Sequence, residues 1–129
     1  MLNHTIDNAP RVSGKRLWSR LMAMAQIGAT PHGGCNRQAL TDLDFEGREL
    51  FSRWAKEAGC TVRVDAIGNL FVRRRGRDDA LPVVMTGSHL DTQPTGGKFD
   101  GVYGVLAGLE VIESLNDRAI STRHPIEVA

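Results

Sequence analysis

Nowhere in the 129 residues does an apolar run approach the roughly 20 residues that a membrane-crossing helix requires. Residues 1–21, MLNHTIDNAPRVSGKRLWSRL, have no basic flank leading into an apolar core and do not read as an export signal, so a soluble, unexported protein is expected. An excess of one charge is missing too. Sixteen Lys and Arg stand against fifteen Asp and Glu, leaving a formal +1, and that field is too weak to favour nucleic acid or an anionic membrane as partner. Cysteine is scarce: Cys35 and Cys60 have neither metal-ligand spacing nor the density of a secreted disulfide scaffold. Two free thiols in a reducing compartment, hence a cytoplasmic protein, is the expectation. There is no internal repeat and no low-complexity block. The basic cluster Arg73, Arg74, Arg75 and Arg77 lacks interleaved aromatic residues and runs straight into Asp78 and Asp79, so it reads as a solvated strand end.

What is present, 41% hydrophobic and 24% charged side chains, suffices for one domain or part of one. Residues 1–12 are polar and read as a loose arm, and residues 13–129 as the folded portion. Ser13 is placed to cap a helix whose apolar positions Leu17, Leu21, Met24 and Ala25 recur at helical spacing, with Gly28 expected to end it. Residues 29–40, ATPHGGCNRQAL, have no sustained period and predict a loop. A second helix is expected from Thr41 or Asp42. Its acidic first turn suits the helix dipole, Leu43, Gly47, Leu50, Phe51, Trp54 and Ala58 form one face, and Gly59 fits the C-terminal cap. Residues 60–65 and 70–75 read as a hairpin around the Gly68-Asn69 turn. The apolar run at 81–85, continuing to Ser88, does not alternate and predicts a strand covered on both faces. Val102, Val105, Leu106, Leu109 and Ile112 then repeat at helical spacing until Asn116-Asp117, and a further strand begins near Ile126. Strand, glycine-rich loop, helix and strand is the order of a βαβ unit in an α/β sheet.

Chemistry-bearing side chains gather in the loop of that unit, GSHLDTQPTGGKFDGVYG at 87–104. In α/β sheets functional groups collect beyond the carboxyl ends of strands, which is where His89 falls. Two residues on, Asp91 shares its side of an extended backbone and is placed to accept the outer ring N–H, fixing the tautomer that turns the other nitrogen outward. Asp100 immediately precedes the helix, and its two carboxylate oxygens suit the bridge of a dinuclear hydrolytic site, where metals lie roughly 3.5–4 Å apart. Gly96 and Gly97 let the loop double back, and Gly101 and Gly104 permit close approach at the helix start. The spacing alone leaves two readings open, since a lone His-x-Asp is common and an Asp before a helix is ordinarily an N-cap. The other histidines, His4, His32 and His124, have no partner at ligand spacing and read as structural, and Cys35 and Cys60 as small buried or loop residues. Gln93 and Lys98 suggest no chemical step.

The run GSHLDTQPTGGKFDGVYGVLAGLEVIESLND, with the upstream DAIGNLFVRRRG and the helix end KEAG, closely resembles the hydantoinase/carbamoylase family of amidases. That family contains N-carbamoyl-L-amino acid hydrolases, allantoate amidohydrolases and ureidopropionases, and sits in the aminoacylase and carboxypeptidase-type superfamily of dinuclear metallohydrolases. The resemblance implies the N-terminal part of the catalytic domain of a zinc-peptidase-like three-layer α/β/α fold, short of the full sheet and without the inserted dimerisation domain through which the family forms homodimers. It also implies two divalent ions, zinc, manganese or cobalt. His89 and Asp100 would be metal ligands, Asp100 as the bridge, with Asp91 orienting the histidine. The implied reaction is hydrolysis of a linear, non-peptide C–N bond in a small carbamoyl or ureido compound such as an N-carbamoyl-L-amino acid, ureidopropionate or allantoate. The Glu-Glu pair that supplies base and ligand in the family would follow the strand beginning at Ile126, and this sequence stops at Ala129.

Ligand counting leads to the same place. A catalytic zinc ordinarily has three protein ligands and water, so two ions sharing one bridge need about five ligands, and the loop offers two. A truncated gene product or fragment, inactive alone, is therefore the leading expectation. The alternatives are an N-acyl amino acid deacylase or aminopeptidase of the same superfamily, against which the QPTGGKFD loop speaks, and a non-catalytic metal-binding or interaction module.

Overall fold

In a computed structural model that describes residues 9–129, the chain folds as three helices on a four-stranded mixed sheet. The elements in order are α1 (Gly14–Met24), α2 (Asp42–Glu57), β1 (Thr61–Val64), β2 (Leu70–Arg74), β3 (Val84–Thr86), α3 (Val102–Asp117) and β4 (Ile126–Val128). His4 and most of the expected N-terminal arm lie outside the described residues.

Both early helices start where their capping chemistry places them. The Ser13 hydroxyl accepts from the Arg16 N–H and the Thr41 hydroxyl from the Asp44 N–H, each satisfying a donor that the first turn leaves without a partner. Helix α1 closes at Ala25, earlier than Gly28, because two tight turns follow before Gly28 adopts φ +83°. In α2 the buried face is carried by Gly47, Phe51, Ser52 and Ala55, with Leu50 and Trp54 packed beside it. Leu43, expected on that face, is 39% exposed one turn too early to reach the core.

The sheet order is β1-β2-β4-β3. The predicted hairpin forms with Val62 opposite Val72, β4 joins β2 antiparallel, and β3 pairs β4 in parallel through the α3 crossover, completing the βαβ unit. Leu70, Val72 and Val128 lie on one sheet face. They merge with Leu21 and Met24 of α1, Phe51 and Ala55 of α2, and Val105, Leu106, Leu109 and Ile112 of α3 into a single core. The opposite face carries polar ties, with Arg63 stacked 4.0 Å over Phe71 and Arg73 paired to Glu127 at 3.1 Å.

Two expectations need correction. Strand β3 is three residues long and exposed throughout, not covered on both faces, because it is an edge strand bonded only to β4, so Val84 and Met85 stay in solvent. The basic cluster is only partly a solvated end. Arg75 is exposed, whereas Arg73 ties β2 to β4, and Arg74 donates to the Asn116 side chain and the Ile120 carbonyl beyond α3. Among the described residues no helix is long and apolar enough to cross a membrane.

Candidate metal centre

The site grows out of the carboxyl end of β3. Sheet pairing persists one step past the strand, with the Ser88 N–H donating to the Ala129 carbonyl at 3.0 Å, and then releases the chain so that His89 projects beyond the sheet. From there residues 92–96 are stitched to the loop at 35–37. The Cys35 N–H donates to the Gly96 carbonyl at 2.9 Å, the Gly96 N–H returns to the Cys35 carbonyl at 3.1 Å, and the Thr92 N–H reaches the Arg37 carbonyl at 2.7 Å. Gly96 thus turns the loop by pairing with a distant segment, and the chain comes back over His89 at Asp100.

The return is tight. The Val102 N–H donates to the Asp100 carbonyl at 2.8 Å across Gly101, whose φ of 71° and ψ of −54° make a three-residue γ-turn that residues with a side chain avoid. Gly101 stands at the N-cap of α3, and among the described residues no side chain caps this helix. Asp100 is therefore not serving as an N-cap. Its carboxylate is free of the helix end and points outward, largely exposed.

His89, Asp91 and Asp100 do come together, but not in the arrangement expected. The His89 Nδ1 lies 2.9 Å from the backbone carbonyl of Asp91 and 3.4 Å from its carboxylate. A carbonyl oxygen only accepts, so this contact puts a ring proton on Nδ1, and in the neutral ring the lone pair is then on Nε2. The expected acceptor for the ring N–H is the Asp91 carboxylate; here the main-chain carbonyl of Asp91 is the nearer acceptor. On the ring's other edge Nε2 faces an Asp100 carboxylate oxygen at 3.9 Å, too far for a direct hydrogen bond. A lone pair and an anion facing each other across that gap are an electron-rich pair suited to a cation.

The donor set fits a metal in part. Asp91 sits behind the imidazole, so two donors, His89 and Asp100, look toward common space. Among the described residues no group of three or more His, Cys, Asp or Glu is placed to hold an ion. Beside the pair runs an open groove whose walls include Ser88, Asp91, Met85, Arg48 and Asn69. The other polar residues singled out in the loop make local contacts. The Lys98 ammonium lies over the Phe99 ring at 5.6 Å, and the Gln93 carbonyl accepts from Thr92 and Gly96 within the loop. Of the other histidines, the His124 ring is bonded to the Pro82 carbonyl, a structural contact.

No family profile matches the chain. Individual proteins do. It is 60% identical over 119 residues to an N-carbamoyl-L-amino-acid amidohydrolase of Rhizobium meliloti, an alignment covering 92% of this chain and 28% of that one. It is 34% identical over 117 residues to a ureidoglycolate hydrolase of Arabidopsis thaliana, covering 91% of this chain and 25% of the relative. Among solved structures, a hydantoinase/carbamoylase-family amidase from Burkholderia multivorans superposes with a TM-score of 0.91 at 67% identity, over 92% of this chain and 29% of that one. The chain thus spans between a quarter and a third of the length of the relatives it matches.

Proposed function

We propose, since the chain belongs to the hydantoinase/carbamoylase family of amidases, that it supplies a metal-binding half of an active site that hydrolyses linear, non-peptide C–N bonds. The substrate class is small carbamoyl or ureido compounds, N-carbamoyl-L-amino acids first among them. In this reading His89 Nε2 and the Asp100 carboxylate would hold divalent cations of the zinc, manganese or cobalt kind. Bound metal would polarise the scissile carbonyl and lower the pKa of a water nucleophile.

The chain's own residues bind and orient. The Asp91 carbonyl keeps the His89 ring in the tautomer and rotation that present Nε2, and the γ-turn at Gly101 sets Asp100 opposite it. Proton transfer is assigned to no residue of this chain. A cytoplasmic setting belongs to the same proposal, and two buried, unpaired cysteines suit it.

The single observation that carries the proposal is the 3.9 Å gap between His89 Nε2 and Asp100, with Nδ1 already committed to the Asp91 carbonyl. The test is a chimera in which this chain replaces the matching 119-residue segment of the Rhizobium meliloti amidohydrolase. The chimera should release ammonia from N-carbamoyl-L-amino acids, and His89→Ala or Asp100→Asn should abolish that release while the protein stays folded. A folded His89→Ala chimera with undiminished turnover would overturn the assignment. Faster release of acetate from N-acetyl amino acids would move the substrate class to deacylation.

A further inference from the structure

Arg37 is completely buried, and among the described residues its guanidinium makes no ion pair with a carboxylate. Burying a cation without a counter-ion is unfavourable unless main-chain oxygens take over its solvation. Here they do so in a directed way. Nη1 donates to the Met24 carbonyl at 3.0 Å and the Ile27 carbonyl at 2.6 Å, where α1 runs out, and also contacts the Cys35 sulfur at 3.3 Å. Nε donates to the Leu90 carbonyl at 3.0 Å. The main chain of Arg37 adds a second strap, its N–H donating to the Thr92 hydroxyl at 2.7 Å and its carbonyl accepting the Thr92 N–H at 2.7 Å. Leu90 and Thr92 flank Asp91 on both sides, and Leu90 directly follows His89. Among the described residues Nη2 alone finds no partner.

From this geometry we infer that Arg37 is a positioning residue. Its side chain and backbone clamp residues 90 and 92 so that the Asp91 carbonyl meets His89 Nδ1 and the Nε2 lone pair is turned toward Asp100. The metal consequence rests on the reading of His89 and Asp100 given above; the clamp on the ring's tautomer does not. An ordinary core arginine would have been cheaper as an apolar side chain of similar volume. A planar fork that gathers carbonyls from the end of α1 and from the His89 loop does what an apolar residue does not, because it fixes one segment's main chain against the other. Gly47 on α2 belongs to the same arrangement, as a β-carbon there would fall 2.9 Å from the Arg37 Cδ.

The test reads the tautomer itself, without metal. In the metal-free 129-residue chain, at an alkaline pH where imidazole is neutral, long-range 1H–15N spectra should show His89 protonated mainly on Nδ1. Arg37→Lys keeps the charge and loses the fork. Thr92→Val keeps the volume and loses the hydroxyl half of the second strap without touching the buried cation. In folded Arg37→Lys the Nδ1–H population should fall at least several-fold relative to Nε2–H, with a smaller fall in Thr92→Val. If Arg37→Lys does not fold, Thr92→Val decides. A wild-type tautomer ratio in every variant that folds would reduce Arg37 to a structural residue and overturn the inference. Zinc titration of the same samples separates the two claims: a tautomer shift with no zinc effect on wild-type His89 upholds the clamp and sinks the metal reading.

Discussion

The imidazole of His89 occupies the space that a β-carbon on Gly101 would take. An ideal Cβ at 101 falls 2.3 Å from both Cε1 and Nδ1 of the ring. The turn that brings Asp100 opposite His89 is thus possible only without a side chain at its centre, both because φ is +71° and because the ring is already there.

Gly101→Ala should therefore destabilise the fold by roughly 2–4 kcal/mol, combining the strain of an unfavourable φ with the displacement of a ring. Urea denaturation measures it. A variant as stable as the parent would mean that the γ-turn is misplaced.

A second prediction concerns Gly108, on the face of α3 turned to the sheet. Alanine in a helix interior is intrinsically better than glycine by about 1 kcal/mol. Here, however, the added carbon would lie 3.0 Å from the Thr86 Cγ2 and from both methyl groups of Val128, whose branched side chains have little freedom to move aside. Gly108→Ala should lower stability by about 1 kcal/mol, the overpacking outweighing the propensity. Thermal unfolding that shows a rise instead would mean that α3 sits farther from β3 and β4.

Acid should loosen the contact between α1 and α3. Burial pulls the Glu110 carboxyl upward, but hydrogen bonds from Arg16, the Ser13 N–H and Ser114 outweigh it and hold the group below the usual glutamate range. A carboxyl depressed in the folded state contributes stability above its unfolded pKa of about 4.3 and loses it as pH falls through the folded value. Wild-type stability should accordingly decline on acidification below about pH 4.3, and Glu110→Gln should be less stable at neutral pH with a shallower acid limb. Parallel pH profiles for the two proteins would contradict the role given to Glu110.

Burial raises the Cys60 thiol to about 11, and Cys35 is fully enclosed. Both thiols should react with a disulfide reagent at neutral pH only as fast as the protein opens, and promptly in urea. Immediate modification of either in the native protein would contradict their burial.

How much of this was legible in the sequence differs from element to element. The caps at Ser13 and Thr41, the apolar period of α3 and the Gly-Asn turn act locally, so their residues announce themselves. Strand β3 does not, since a short apolar run reads the same on an edge as in the middle of a sheet, and only the pairing order decides. In the site, His89 and Asp100 were visible as metal-capable groups on a glycine-rich loop, and their convergence followed from that pliability. That the nearer acceptor for Nδ1 is the Asp91 carbonyl, not its carboxylate, depends on a backbone rotation that no residue type reports. Arg37 left no signal at all. It sits in a segment without periodicity, and its guanidinium bonds to carbonyls 10 to 53 residues away, a chemistry every residue shares.

The central claim, that His89 and Asp100 face each other as metal ligands, is tested most directly by zinc titration of the 15N-labelled 129-residue chain. The account predicts that zinc shifts His89 Nε2 and the Asp100 amide together, leaves Nδ1 protonated, and that Asp100→Asn weakens the effect on His89 by about tenfold, because Asp100 is the charged member of the ligand pair. No shift at either residue at millimolar zinc, or a response centred on His32 or His124 instead, would contradict it.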